Sequence, residues 1–423
     1  MIIGYRHKLA TLLVSVVASL LIAVTVHADE RVDRVLKTTP LIDGHNDLPW
    51  QYFVRHKNQL GGMDVAADQT ALEPPLHTDI PRLRAGGVGA QFWSVYVPIA
   101  EYGGAPGDAA RVLAQMDVVR RLVERHPDDL ELAFTADDVR RIHREGRIAS
   151  MMGVEGGHAI EDSLGVLRSL YAAGARYMTL THSKGLHWAD SATDELRHDG
   201  LTDFGLEVVR EMNRLGMLVD LSHVSEAAMH DALDVAQAPV IFSHSSARGV
   251  TDHPRNVPDG VLERLTDNGG VVMVTFVPSY VSQASADHAR AMMGERGRLE
   301  AIFPHDEAQR KDLFGAWLEA NPAPEVDLND VADHIDHIRD VAGIEYIGLG
   351  GDYDGIRSVP KGLEDVSTYP ALLEELLARG YSEGDIAAIA GGNVLRAMDA
   401  AEATARTLQG AGPASDLLFG VEE

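Results

Sequence analysis

The chain has 423 residues, and 37 lysines and arginines against 64 aspartates and glutamates give a formal net charge of −27. This acidity argues against a nucleic-acid partner, because a phosphate backbone would be repelled. The absence of cysteine excludes disulfides, thiolate-bound zinc, iron–sulfur clusters and a thiol nucleophile, whereas 19 histidines leave metal binding through nitrogen and oxygen ligands open.

The first 28 residues have the pattern of a secretory signal peptide. Arg6 and Lys8 precede an apolar run that ends at Val26, and Val26 and Ala28 are the small residues that signal peptidase reads. The run is long for a cleaved signal, so an uncleaved N-terminal anchor is the alternative. We expect an exported protein, periplasmic or secreted, with no membrane span in its mature form. Residues 29–423 are expected to form one catalytic domain.

The rest of the chain alternates short apolar runs with segments of helical periodicity. The runs are rich in aliphatic and aromatic residues, which is typical of strands buried on both faces. Eight such strands with intervening helices predict an α/β fold, a (β/α)8 barrel of TIM type. The alternative is a doubly wound open sheet, but its Gly-x-Gly-x-x-Gly turn is missing at the first strand–helix junction. Ser282–Pro324 is interpreted as a helical insertion after the seventh strand and as a candidate lid. The predicted strands are Pro40–Asp43, Gly89–Val97, Ile148–Val154, Ala175–Leu180, Met217–Leu221, Val240–Phe242, Val271–Phe276 and Tyr346–Leu349.

Ionisable residues follow six of the eight predicted strands at the carboxyl end, where barrel enzymes place their chemistry. His45 and Asp47 are two apart on an extended chain, so their side chains point the same way and can reach one cation. Each residue alone has a structural explanation, such as a helix cap or a turn contact. The coincidence at six strand ends favours a functional site. The further members are Glu155 after the third strand, His182 after the fourth, His223 after the fifth, His244 after the sixth and Asp352 after the eighth.

A metal centre built from a His-x-Asp pair, two further histidines and a carboxylate fits this set. Imidazole and carboxylate ligands suit Zn²⁺ best, with Mn²⁺, Co²⁺ and Fe²⁺ as alternatives. A carboxylate can bridge two cations that hold a hydroxide between them, and that hydroxide would replace a serine or cysteine nucleophile. The chain contains no Gly-x-Ser-x-Gly nucleophile elbow.

These residues, in this order, resemble the renal (membrane) dipeptidase family of zinc peptidases, which are amidohydrolase-type barrels. The resemblance extends from Ile42–Asp47 to Asn393–Arg396 and covers nearly all of the predicted mature chain. Six stretches in the same order make it specific. Between its two ends the matching stretches are Gly153–Gly157, Arg176–Ser183, Asp220–Ser225, Phe242–Ala247, Arg255–Asp259 and Gly350–Gly355.

The resemblance implies a zinc-dependent dipeptidase with two zinc ions per chain. It implies that His45 and Asp47 bind one zinc ion, that His223 and His244 bind the other, and that Glu155 bridges both. It also implies a homodimer and a tolerance for D-residues at the C-terminal position of the dipeptide.

The resemblance assigns four further residues to the substrate. His182 would contact the scissile carbonyl and help to hold the oxyanion. Arg255 would pair with the free carboxylate of the dipeptide, and Tyr280 would lie near the substrate. Asp352 would be the proton shuttle between the attacking hydroxide and the leaving amine.

Some features depart from the family or remain open. Mammalian members carry disulfides and a C-terminal lipid-anchor signal, and we expect neither here. Lys184–Gly200 and Ser282–Pro324 match no family pattern, so we expect substrate preference to lie there. His158 is interpreted either as a neighbour that orients the metal site or as a turn contact. His334 and His337 lie on an acidic helix, where a solvated face is expected rather than a metal site.

Two other functions remain as alternatives. The first is a different metal-dependent amidohydrolase, such as a lactonase, deaminase or phosphotriesterase. Those enzymes usually bridge their metals with a carbamylated lysine after the fourth strand, and no predicted strand ends in lysine here. The second is an inactive peptide-binding protein of the cell envelope, which would require the loss of a metal ligand or of the proton shuttle.

Overall fold

The computed structural model describes residues 30–420, and the predicted signal segment lies outside these residues. Eight parallel strands close into a barrel, which confirms the predicted (β/α)8 fold. Each predicted apolar run overlaps one of these strands, and nearly all of their residues are buried. The strands are β1 (Leu41–Asn46), β2 (Val88–Tyr96), β3 (Ile148–Glu155), β4 (Ala175–Thr179), β5 (Leu218–Asp220), β6 (Ile241–Phe242), β7 (Val271–Val274) and β8 (Ile347–Leu349).

The barrel closes because β1 pairs on both sides. Leu41 pairs with β2, and Asp43 pairs with β8. A further strand, Leu130–Leu132, pairs with the first residues of β3. From Met152 onward, the same edge of β3 pairs with β4. The sequence pattern did not predict this strand, because three residues are too few to show a period-two alternation.

Helices follow the strands and surround the barrel. The helix Asp203–Leu215 shows how the sequence sets their bounds: the Thr202 side chain caps its start, Val208 and Met212 are buried at helical spacing, and Gly216 ends it at a φ of +83°. The helices are α1 (residues 30–38), α2 (Leu48–His56), α3 (Ile80–Ala85), α4 (Asp108–Arg125), α5 (Ala136–Arg144), α6 (Leu164–Ala172), α7 (Asp203–Leu215), α8 (Glu226–Val235), α9 (Asp259–Asn268), α10 (Pro278–Val281), α11 (Gln283–Ile302), α12 (Glu307–Ala320), α13 (Leu328–Val341), α14 (Tyr369–Ala378), α15 (Glu383–Ala387) and α16 (Asn393–Ala411).

The predicted insertion after β7 is helical, and it forms α11 and α12. The helix α11 buries only Ser285, Ala286 and Leu299, and α12 buries none of its residues. This pair of helices therefore stands largely outside the core. Among residues 30–420, no helix combines the length and the apolarity that a membrane crossing requires.

The helix α13 differs from the solvated face that its acidic sequence predicts. His334 is fully buried: its Nδ1 accepts the Ala247 N–H at 2.9 Å, and its Nε2 donates to the Val281 carbonyl at 3.2 Å. His337 is partly exposed and hydrogen-bonds with the Asp259 carboxylate at 2.8 Å. The charge pattern of one helix does not show which residue faces the barrel. His334 therefore ties α13 to the loop after β6 and to α10.

Candidate metal centre and substrate cavity

The carboxyl ends of β1 and β8 bring three predicted site residues together. The pairing continues beyond both strands: the Asp47 N–H donates to the Tyr353 carbonyl at 2.9 Å, and the Asp352 N–H donates to the His45 carbonyl at 3.2 Å. Asp352 takes a left-handed φ of +61°, a strained conformation that clusters at functional sites. As a result, ligand atoms of His45, Asp47 and Asp352 lie within 4.8 Å of one another.

Glu155, the last residue of β3, has one histidine near its Oε2 and three near its Oε1. Its Oε2 is 3.5 Å from His45 Nε2 and accepts a hydrogen bond from the Ser94 hydroxyl at 3.1 Å. Its Oε1 is 3.2 Å from His223 Nε2 and 3.6 Å from His244 Nε2. Each oxygen of this one carboxylate therefore faces a different set of imidazole nitrogens.

His45 has a ring nitrogen that the protein leaves unsatisfied. The side chain is fully buried, and Nδ1 bonds with the Tyr177 hydroxyl at 2.9 Å, but Nε2 has no hydrogen-bond partner among the described residues. Nε2 lies 3.3 Å from Asp47 Oδ2 and close to Glu155. An unsatisfied buried nitrogen is costly, and one that faces two carboxylates is suited to bind a cation. The donor set therefore fits a metal cofactor.

Three carboxyl groups concentrate negative charge at this point. Desolvation raises the pKa of Asp352 well above its ordinary value, and the Asp47 and Glu155 carboxylates add to the rise although His45 opposes it. Desolvation alone would lower the pKa of His45, but Tyr177, Glu155 and Asp47 raise it well above its ordinary value. Both shifts show a site that favours added positive charge, which a divalent cation supplies.

A cavity of about 540 Å³ opens at these strand ends. Its size suits a small organic ligand. His45 lies fully buried beneath it, and the other eight predicted site residues line it: Asp47, Glu155, His182, His223, His244, Arg255, Tyr280 and Asp352.

Arg255 brings an uncompensated positive charge to the cavity. Its side chain is buried and donates to the Ser245 hydroxyl and the His244 carbonyl, each at 3.2 Å, while its Nε has no hydrogen-bond partner within the described part of the chain. No carboxylate of residues 30–420 forms an ion pair with its guanidinium, which lies 5.3 Å from the Tyr280 ring centroid. A buried guanidinium without an acidic partner is suited to receive an anionic group of a ligand.

His182 lies between the Tyr96 and His223 rings, with centroids at 4.8 and 4.3 Å. Its Nε2 is 3.6 Å from Glu155 Oε1, so distance alone does not separate it from the histidines predicted to bind metal. Its Nδ1 is 3.2 Å from the Ser183 hydroxyl. Desolvation lowers the pKa of His182, which keeps the imidazole neutral near pH 7.

Residues 29–412 match the model of the membrane dipeptidase family, peptidase family M19. The chain belongs to the membrane dipeptidase family. It is therefore a metallo-dipeptidase, a hydrolase of peptide bonds, and the match bears out the family resemblance of its motifs. The lactonase, deaminase and phosphotriesterase alternatives have no such support.

Solved structures share the fold of this dipeptidase. The probable dipeptidase PvdM from Pseudomonas aeruginosa is 24% identical, with a TM-score of 0.76 over 89% of this chain and 99% of that chain. A metallopeptidase from Rhodobacter sphaeroides, liganded with a phosphinate mimic of the dipeptide L-Ala-D-Ala, is 23% identical, with a TM-score of 0.69 over 86% of this chain and 99% of that chain.

Apolar and aromatic residues that the sequence analysis did not single out complete the cavity of the dipeptidase. Trp50 comes from α2, Tyr96 ends β2, and Val277 and Ile356 follow β7 and β8. Such residues are typical of cores, so nothing in the sequence marked them as cavity walls. Of the two segments expected to set substrate preference, 184–200 contributes Thr193, whereas no residue of 282–324 lines the cavity, and α11 and α12 do not act as a lid in this structure.

His158, which the sequence left ambiguous, and Asp354, the second aspartate after β8, have structural contacts. His158 Nε2 donates to the Val97 carbonyl at 3.0 Å, and the ring is buried outside the cavity lining, so it holds the turn after β3. Asp354 accepts the His77 N–H at 2.8 Å, and its own N–H donates to His77 Nδ1 at 3.0 Å. Of the two aspartates after β8, Asp352 therefore lines the cavity and Asp354 holds the loop.

Proposed function

We propose that this metallo-dipeptidase binds two zinc ions per chain, bridged by Glu155. His45 and Asp47 complete one position, and His223 and His244 complete the other. The observation that carries the proposal is that the two carboxylate oxygens of Glu155 face different histidines. Its Oε2 faces His45, and its Oε1 faces His223 and His244. When bound, the paired cations supply an activated hydroxide and polarise the scissile carbonyl.

The remaining residues position the dipeptide and move the protons. Arg255 binds the free carboxylate of the substrate, and Tyr280 packs beside it. The neutral His182 donates from Nε2 to the carbonyl oxygen as charge develops there. With the cations bound, Asp352 would take up the proton released by the nucleophile on its carboxylate and pass it to the leaving amine. These assignments make Asp352 and His182 the catalytic residues.

The substrates are proposed to include dipeptides with a C-terminal D-residue. The Rhodobacter sphaeroides metallopeptidase, which shares the fold, was solved with a mimic of L-Ala-D-Ala. An arginine that binds the carboxylate fixes the end of the substrate and does not by itself select the configuration at Cα.

We also propose that the enzyme is exported and acts as a non-covalent homodimer. The basic and apolar pattern of residues 1–28 supports export to the periplasm or beyond, with residues 29–423 as the single catalytic domain. The lack of cysteine leaves association through surface contacts as the route to a dimer.

Metal quantification combined with a dipeptide panel tests the proposal. The purified protein should hold two zinc ions per chain and cleave L-L and L-D dipeptides. Glu155→Gln should hold fewer than two ions and lose more than ~100-fold in turnover, since even partners of metal ligands cost 10–100-fold. His182→Asn is the matched variant: it should keep both ions and lose turnover. Loss of zinc in His182→Asn, or two zinc ions in Glu155→Gln, would contradict the assignment.

A further inference from the structure

On the side of the barrel interior, His45 contacts a tyrosine hydroxyl that has no role in the proposed mechanism. His45 Nδ1 lies 2.9 Å from the Tyr177 hydroxyl, which donates to the Gly44 carbonyl at 3.3 Å. A carbonyl can only accept, so the phenolic oxygen is left to accept the Nδ1 hydrogen. This arrangement keeps a hydrogen on Nδ1, so Nε2, which faces Asp47 and Glu155, is the nitrogen that would bind a metal ion.

The strands leave room for Tyr177 to reach this position. The residue comes from β4, is fully buried, and packs against Phe92 with ring centroids 5.1 Å apart. Its neighbour on β3 is Gly153, where an added Cβ would lie 1.9 Å from the tyrosine ring. Position 153 must therefore carry no side chain if the phenol is to cross the barrel to His45.

His244 is held by two consecutive hydrogen bonds, the second of which ends on a carboxylate. Its Nδ1 lies 2.8 Å from the Ser243 hydroxyl, which donates to Asp220 Oδ2 at 2.6 Å. Asp220 also accepts the hydroxyl of Thr179 on Oδ2 and the backbone N–H groups of Ser222 and Ser243 on Oδ1. Because the serine proton goes to Asp220, the serine oxygen accepts the Nδ1 hydrogen of His244, and the Nε2 lone pair again faces the centre.

We propose that Tyr177 and the Ser243–Asp220 pair are positioning residues that hold the two halves of the metal centre independently. Tyr177 serves the half that contains His45, and Ser243 serves the half that contains His244. The inference rests on the proposed two-cation function. Loss of one of these supports weakens the cation on its own side by 10–100-fold, the range known for partners of metal ligands, and leaves the other cation in place.

Two variants of the full chain, each lacking one side-chain hydroxyl oxygen, test whether each support acts on one cation only. Tyr177→Phe should weaken one zinc ion by about 10–100-fold, and Ser243→Ala should weaken the other by a similar factor. Competition with a chromogenic chelator gives the two dissociation constants of each variant. Anomalous diffraction from zinc-loaded crystals shows which position has lost occupancy: the one beside His45 in Tyr177→Phe and the one beside His244 in Ser243→Ala.

Two matched controls remove the same atoms elsewhere. Tyr52→Phe deletes a buried hydroxyl that donates to the Met63 carbonyl. Ser150→Ala deletes a buried hydroxyl on β3 for which residues 30–420 offer no hydrogen-bond partner. Both should bind zinc like the wild type. The inference is overturned, while the two-cation function stands, if Tyr177→Phe and Ser243→Ala bind both ions as tightly as the controls or lose both ions together. A wild type with fewer than two ions overturns both. If Tyr177→Phe does not fold, Ser243→Ala alone tests the inference. It should keep the wild-type zinc affinity at the position beside His45, and a loss there overturns the inference.

Discussion

Arg255 is the residue that we propose limits the substrate most directly. Its guanidinium is buried at the cavity and lacks an acidic partner among residues 30–420. A charge-assisted hydrogen bond to a dipeptide carboxylate contributes about 1.5–3 kcal/mol. We therefore expect Arg255→Met to lower kcat/KM for dipeptides by roughly 10–150-fold, mainly through KM.

Dipeptide amides provide the control for this prediction, because they lack the carboxylate. Wild-type enzyme should cleave the amide poorly, and Arg255→Met should discriminate little between acid and amide. Steady-state kinetics on the matched pair measures both values. If the variant still prefers the free acid as strongly as the wild type, the carboxylate is bound elsewhere.

At the scale of elements, His334 makes the packing of α13 sensitive to acid. Burial lowers its pKa from 6.5 to about 4 in the folded protein. Between these values the unfolded chain binds a proton that the folded chain does not, so the stability is complete above pH 6.5 and falls as the pH drops toward 4. At pH 5 the loss amounts to about 2 kcal/mol.

Urea denaturation at pH 7.5 and pH 5 measures this contribution. The free energy of unfolding of the wild type should fall by about 2 kcal/mol more than that of His334→Gln, which cannot titrate. His305→Gln replaces an exposed histidine and should follow the wild type. An equal fall in wild type and His334→Gln would show that the buried ring does not set the acid response.

The elements also show where prediction from sequence succeeds and where it stops. The eight strands were predictable because doubly buried strands give short apolar runs, and His45 and Glu155 were recognised at strand ends. The support of His45 by Tyr177 was not predictable, since it joins β1 to β4 across the barrel interior. The left-handed φ of His223 and the burial of His334 also depend on tertiary contacts that no local pattern encodes.

At the scale of the whole molecule, the closed barrel and the metal centre depend on each other. Glu155 ends β3, whereas Asp47 and Asp352 follow β1 and β8, so closure of the barrel brings three carboxylates to one cavity. Bound cations offset their repulsion in the folded state only. A ligand at 1,000 times its Kd stabilises by about 4 kcal/mol per site. We therefore expect removal of metal to lower the free energy of unfolding by several kcal/mol and re-addition of zinc to restore it.

Denaturation with and without chelator tests this coupling independently of turnover. The denaturation midpoint of the wild type should fall when EDTA is present and recover with excess zinc. Glu155→Gln, which lacks the carboxylate proposed to bridge the cations, should show a smaller EDTA effect because it is expected to hold less metal at the start. An equal shift in both proteins would place the stabilising cation away from Glu155. An unchanged midpoint in the wild type would mean that the barrel tolerates the three carboxylates without a cation, so protonation of Asp352 would have to relieve their repulsion.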